Sequence, residues 1–114
     1  MNFSYLPEFK KEFQRLLKKY KTLKDDLDIL KQFLNIYPMG FTPRIFPISD
    51  LGLKTKIFKV KKFRCKYLKG SGSNSGIRII YAYMEDENKI EFIEIYFKGD
   101  KRNFNKKRIL KYYK

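Results

Sequence analysis

Between Phe9 and Tyr20 the apolar residues Phe9, Phe13, Leu16, Leu17 and Tyr20 recur three or four positions apart, the spacing of one helical face. Pro7 suits the first turn of that helix, and Glu8 and Glu12 lie towards the positive end of its dipole. A second stripe follows in Leu23, Leu27, Leu30, Phe33 and Leu34. Thr22 is placed to cap this helix through its hydroxyl, with Asp25 three residues on and Asp26 and Asp28 in the first turn. Both stripes read as core, so residues 1–36 predict a helical hairpin. In residues 37–54, Pro38, Gly40, Pro43, Pro47 and Gly52 interrupt any regular element and predict a long connection. Phe41, Ile45, Phe46 and Ile48 predict that it lies against the body.

From residue 55 the period changes to two. Phe58 and Val60 alternate with Lys59 and Lys61, as in a half-buried strand. The alternation slips at Lys61-Lys62 and resumes at Phe63 and Cys65, which predicts a bulge. Leu68 to Gly76 is a glycine-serine loop, Ile77 to Met84 a β-branched and aromatic strand, Asp86-Glu87-Asn88 a turn, and Ile90 to Phe97 a third strand. Ile109, Leu110 and Tyr113 predict a short basic helix over residues 105–114. The expected fold is a single α+β domain over residues 1–114. An N-terminal helical hairpin packs on a small antiparallel sheet (residues 55–98), and a C-terminal helix ends the chain.

At 114 residues, with 43% hydrophobic and 18% aromatic positions, the chain has the means to build one core. No run approaches the length of about 18 to 20 apolar residues that crosses a bilayer, and the first ten residues lack a secretory pattern. One Cys and no His exclude an internal disulfide and a His/Cys metal site. The expectation is a soluble, reduced, cytoplasmic protein with no cofactor, no metal and no membrane partner.

Lysine excess by itself says little, because an A- and T-rich genome inflates Lys along with Ile, Asn, Tyr and Phe. Placement says more. Leu51 to Met84 holds nine basic residues and no acid, and Lys101 to Lys114 holds seven and no acid, while the remaining chain carries 11 basic and 12 acidic residues. Two long segments emptied of Asp and Glu are an electrostatic footprint for a polyanion, above all nucleic acid. Lys59 and Lys61 project from one strand face about 7 Å apart. Arg78 opens the next strand after the loop carrying Gly70, Gly72 and Gly76, and Lys98 closes the last strand. Lys56, Lys62, Arg64, Lys66, Lys101 and Arg102 surround them as candidate RNA contacts. Alternating lysines on a strand are ordinarily only a solvated face, and a glycine-serine loop only a loop. Their convergence on one surface is what points to a site. Two such lysines are expected to lower each other's pKa, which would make one of them a general base.

The order of these pieces is informative: Lys18 to Leu27 (Lys-Lys-Tyr-x-Thr-Leu-x-x-Asp-Leu), Phe58-Lys59-Val60-Lys61, Gly76-Ile77-Arg78-Ile79-Ile80-Tyr81, and Ile95-Tyr96-Phe97-Lys98. It resembles the RelE/HigB-like toxins of type II toxin–antitoxin modules from about Phe9 to Lys111. The resemblance implies a helical hairpin followed by an antiparallel sheet and a C-terminal helix. It also implies a ribosome-dependent endonuclease that cuts mRNA by metal-independent attack of the 2′-OH, inhibits translation, and is held inactive by a cognate acidic antitoxin. Its implied partners are mRNA and the rRNA of the ribosomal A site. By position, Lys59, Lys61, Arg78 and Lys98 match the family's basic catalytic cluster. The chain departs from several relatives in having no histidine, which leaves Tyr112 or Tyr113 for a functional aromatic at the C-terminus. It also reads Ser73-Asn74-Ser75-Gly76 where relatives often have Ser-Gly-Gly. Two other readings stay open: a ParE-like inhibitor of DNA gyrase on the same fold, and a non-catalytic RNA- or ribosome-binding module.

Overall fold

The computed structural model describes residues 1–68 and 75–114. Its elements are strand β1 (Asn2–Tyr5), helices α1 (Pro7–Lys19) and α2 (Leu23–Ile36), strands β2 (Ile45–Ile48), β3 (Lys56–Val60) and β4 (Ile77–Met84), strand β5 (Lys89–Phe97) and helix α3 (Lys106–Tyr113). The fold is α+β, with a five-stranded sheet ordered β1-β5-β4-β3-β2. The sheet is mixed and not antiparallel as expected, because β1 runs parallel to β5 while the other pairs are antiparallel. Two strands go beyond the prediction. β1 occupies the start of the expected hairpin segment, and β2 lies inside the expected connection. β2 includes Pro47, which an edge strand tolerates because its ladder is satisfied on one side only.

The predicted apolar stripes of α1 and α2 pack on one face of the sheet. Phe9, Leu23, Leu27, Leu30 and Leu34 are buried there. Across that face runs a line of rings in register, Phe58, Tyr81, Phe92 and Tyr5, with centroids 5.2 Å, 6.4 Å and 5.5 Å apart in turn. The Phe9 ring closes on Phe92 at 5.5 Å from above. Apolar burial of this density is the main source of stability for so small a domain.

Thr22 stands before α2 as predicted, but its hydroxyl does not cap the helix. It donates to the buried Asp26 carboxylate (2.8 Å) and accepts from the Tyr67 N–H (2.8 Å). Asp26 also accepts from the Lys66 N–H at 3.2 Å, so the pair fastens the chain beyond β3 to α2. The bulge predicted at Lys61-Lys62 is present at the end of β3, where both N–H groups converge on the carbonyl of Arg44 at 2.9 Å and 3.2 Å, so two residues oppose one. Phe63 and Cys65 are buried beyond it, as their positions implied.

A second register break lies in β5. Ile80 faces Glu94 and Tyr81 faces Phe92, which leaves Ile93 as an extra residue. Phe92 and Ile95 therefore turn to the hairpin side, while Glu94 and Tyr96 turn to the opposite face with Ile80 and Arg78. β1 ends opposite Phe92, so this stretch of β5 has an open edge. Glu12 of α1 and Arg108 of α3 close it. Arg108 binds Glu12 through two parallel bonds of 2.9 Å and donates to the Ile93 carbonyl at 2.9 Å, while the Ile95 N–H donates to Glu12 at 3.3 Å. The guanidinium and carboxylate are 11% and 19% exposed, so each partner would be costly to leave alone. Replacing either, as Glu12→Gln or Arg108→Met, is expected to destabilise the fold by about 2 to 3 kcal/mol in denaturant unfolding. The two losses should be far from additive in the double variant.

Candidate functional site

Pairing of β3, β4 and β5 sets the face opposite the hairpin. Lys59 lies in register with Ile80 and Glu94, and Arg78 with Tyr96. Lys61 continues the Lys59 side of its strand, and its carbonyl accepts from Arg78 Nη1 at 2.8 Å. Sequence alternation thus brought Lys59, Lys61 and Arg78 together as expected. Two rings brace the lysines: Phe104 lies 6.0 Å from the Lys59 ammonium, and Phe46 lies 5.4 Å from that of Lys61.

Lys59 is half-buried, and its pKa lies below its usual 10.5, chiefly through burial, then through the charge of Arg78, then of Lys61. Mutual repulsion between two lysines was expected to set this shift. Loss of hydration is the larger cause. A lysine so placed is a stronger candidate for proton transfer near neutrality than one in water.

Entry into β4 is sharply defined. The buried Ser75 hydroxyl donates to the Phe63 carbonyl (2.5 Å) and accepts from the Ile77 N–H (3.2 Å). Gly76 has φ +84°, and a Cβ there would stand 2.8 Å from the Phe97 ring, so only glycine fits. The Lys98 N–H donates to the Gly76 carbonyl at 2.8 Å, which sets exposed Lys98 at the same end of the sheet as Arg78. Lys69, Gly70, Gly72, Ser73 and Asn74 of the predicted loop lie outside the described residues.

The other expected RNA contacts divide. Lys62 is half-buried just past β3, and Arg64, Lys66 and Arg102 are exposed. Lys56 shares the opposite face with Tyr83 and pairs with Glu85 at 3.1 Å, which removes it from the cluster. Lys101 is paired with Glu94, a fully buried carboxylate that also accepts from the Asn105 N–H at 2.7 Å. Tyr112 and Tyr113 do not reach the cationic end. Tyr112 donates to Glu8 at 2.8 Å and Tyr113 to Glu91 at 2.6 Å. Glu91 faces Ala82, further along the strands and away from Arg78. Both phenols are held above their usual pKa, Tyr112 by its bond to Glu8 and Tyr113 by burial and then by its bond to Glu91. Neither is suited to exchange protons at the cluster.

Sequence reasoning passed over Glu94 and Tyr96, both on the cationic face. One signal was present: Glu91 and Glu94 stand three apart in a strand of period two, which a bulge between them reconciles. Among the described residues no helix is long and apolar enough to cross a membrane. No family model, no curated protein and no solved structure matches this chain.

The Lys59 shift carries a stability consequence with a definite sign. Its folded-state pKa is depressed, so below that value the folded protein bears the cost of a charged Lys59, and the cost disappears as pH rises to 10.5. Lys59→Met is expected to be more stable than the parent at pH 7. The gap between their denaturation midpoints should close as pH approaches 10.5.

Proposed function

We propose that this chain is a RelE/HigB-like toxin, a ribosome-dependent endonuclease that cuts mRNA and stops translation. The observation that carries the reading is the environment of Lys59, a half-buried ammonium on a sheet face whose two acting charges, Arg78 and Lys61, are both cations. The carboxylate on this face, Glu94, is already paired with Lys101, so the three cations favour an anion from outside, and a phosphodiester supplies one. Support also comes from the order of elements, a helical hairpin, then the three predicted strands, then a short basic helix.

In the reaction, the 2′-OH attacks the adjacent phosphorus, the O2′–P bond forms and the P–O5′ bond breaks. The products are a 2′,3′-cyclic phosphate and a 5′-hydroxyl. Lys59, in its neutral form, accepts the 2′-OH proton, and the departing O5′ takes a proton from solvent water to leave as the 5′-hydroxyl. Arg78 and Lys61 oppose the charge that grows on the phosphoryl oxygens. The ribosome holds the message in the geometry that this attack needs. Lys98, Lys62, Arg64, Lys66 and Arg102 add screened contacts to RNA, and an acidic antitoxin covers the same face when translation is to continue.

Purified ribosomes carrying a defined mRNA in the A site test the assignment. Lys59→Ala and Arg78→Ala are expected to slow cleavage by about 100-fold or more, while Lys56→Ala, whose partner is Glu85, leaves the rate near that of the parent. Parental cleavage in both Lys59→Ala and Arg78→Ala would refute the catalytic reading. Binding that falls only slightly and with a shallower salt dependence, and no cleavage by the parent, would indicate a non-catalytic RNA-binding module.

A further inference from the structure

Among the described residues, a single buried side-chain oxygen or nitrogen has no hydrogen-bond partner, the hydroxyl of Tyr96. The residue is 6% exposed, and its oxygen is sealed from solvent. Buried polar groups are nearly always paired, because an orphan forfeits its hydration for nothing. An exception calls for a reason.

Its neighbours show what is missing. Arg78 lies directly across the ladder from Tyr96, and the Lys101 ammonium lies 5.4 Å from the Tyr96 ring centroid. Arginine and lysine only donate, so neither can accept the phenolic proton. The nearby carboxylate, Glu94, accepts from Lys101 on one oxygen and from the Asn105 N–H on the other, and makes no bond to the phenol. The hydroxyl therefore faces a surplus of donors. An oxyanion entering beside Arg78 would accept from the guanidinium and the phenol together. The phenol stays protonated and able to donate, because burial and then the Glu94 charge raise its pKa against the weaker pull of Arg78.

We propose that Tyr96 contacts the ligand of this site, its hydroxyl donating to a phosphoryl oxygen that Arg78 also holds. The proposal rests on the reading of the cationic face as a phosphodiester site, and it adds a neutral donor to a cluster otherwise made of cations. Access requires a long side chain to turn. Arg78, half-buried directly across the ladder and tied on one side to the Lys61 carbonyl, is the side chain proposed to turn.

Tyr96→Phe removes one oxygen and preserves the ring. Two measurements are made on the parent, Tyr96→Phe, Lys59→Ala and Arg78→Ala: affinity for a short fluorescein-labelled single-stranded RNA, and the rise in melting temperature on adding inorganic phosphate at constant ionic strength. The rise is read against each variant's own baseline, so a change in intrinsic stability does not enter it. Tyr96→Phe is expected to melt at or above the parent, since it deletes an unpaired buried group. It should bind RNA about 10- to 100-fold more weakly and lose most of the phosphate-induced rise. If Lys59→Ala and Arg78→Ala weaken both readouts while Tyr96→Phe matches the parent, the Tyr96 assignment fails and the cationic site stands. If all three variants match the parent, the phosphodiester reading fails and takes the Tyr96 assignment with it.

Discussion

One extra residue in β5 decides what the two faces of this sheet can do. Without Ile93 out of register, Phe92 and Tyr96 would share a face, and either the aromatic line under the hairpin or the group beside Arg78 would be lost. The insertion has a cost, since it interrupts the ladder where β5 also loses its β1 neighbour. Glu12 and Arg108 meet that cost by serving the freed Ile93 carbonyl and Ile95 N–H. The first and last helices are thus joined at the point where the sheet changes its alternation. Core packing on one side and charge placement on the other follow from that junction.

Space redistributes the charge that the linear sequence displays. The tail from Lys101 to Lys114 contains no acid, yet Lys101 and Arg108 are matched by Glu94 and Glu12 from elsewhere in the chain. Lys56, in the other acid-free segment, is matched by Glu85. What survives as concentrated positive charge is Lys59, Lys61 and Arg78, with Lys98 at the same end of the sheet. The tail serves first to close the sheet edge, and its exposed cations, Arg102 among them, are a secondary surface.

The parts of the fold that the sequence made readable are those with a long period. The two helical stripes, the Lys59–Lys61 alternation and the β-branched run from Ile77 announce themselves because burial repeats over several turns or strand steps. β1 and β2 have four residues each, and β2 contains a proline, so neither offers enough repeats to be read. Thr22 shows a different limit. Its sequence context fits a cap, but a nearby chain segment competes for its hydroxyl, and proximity of residues 22 and 67 is a tertiary fact. Within the site, Lys59, Lys61 and Arg78 were legible because they depend on local alternation. Tyr96 was not, because its side depends on the slip at Ile93 and its lack of a partner depends on tertiary packing.

The central claim is that the cationic face cuts translated messages. Induced expression of the chain, followed by mapping of mRNA 5′ ends across the transcriptome, tests it most directly. The account predicts new 5′ ends at fixed positions within codons, confined to translated messages and abolished by Lys59→Ala. Intact messages together with broken DNA would contradict it and favour inhibition of DNA gyrase.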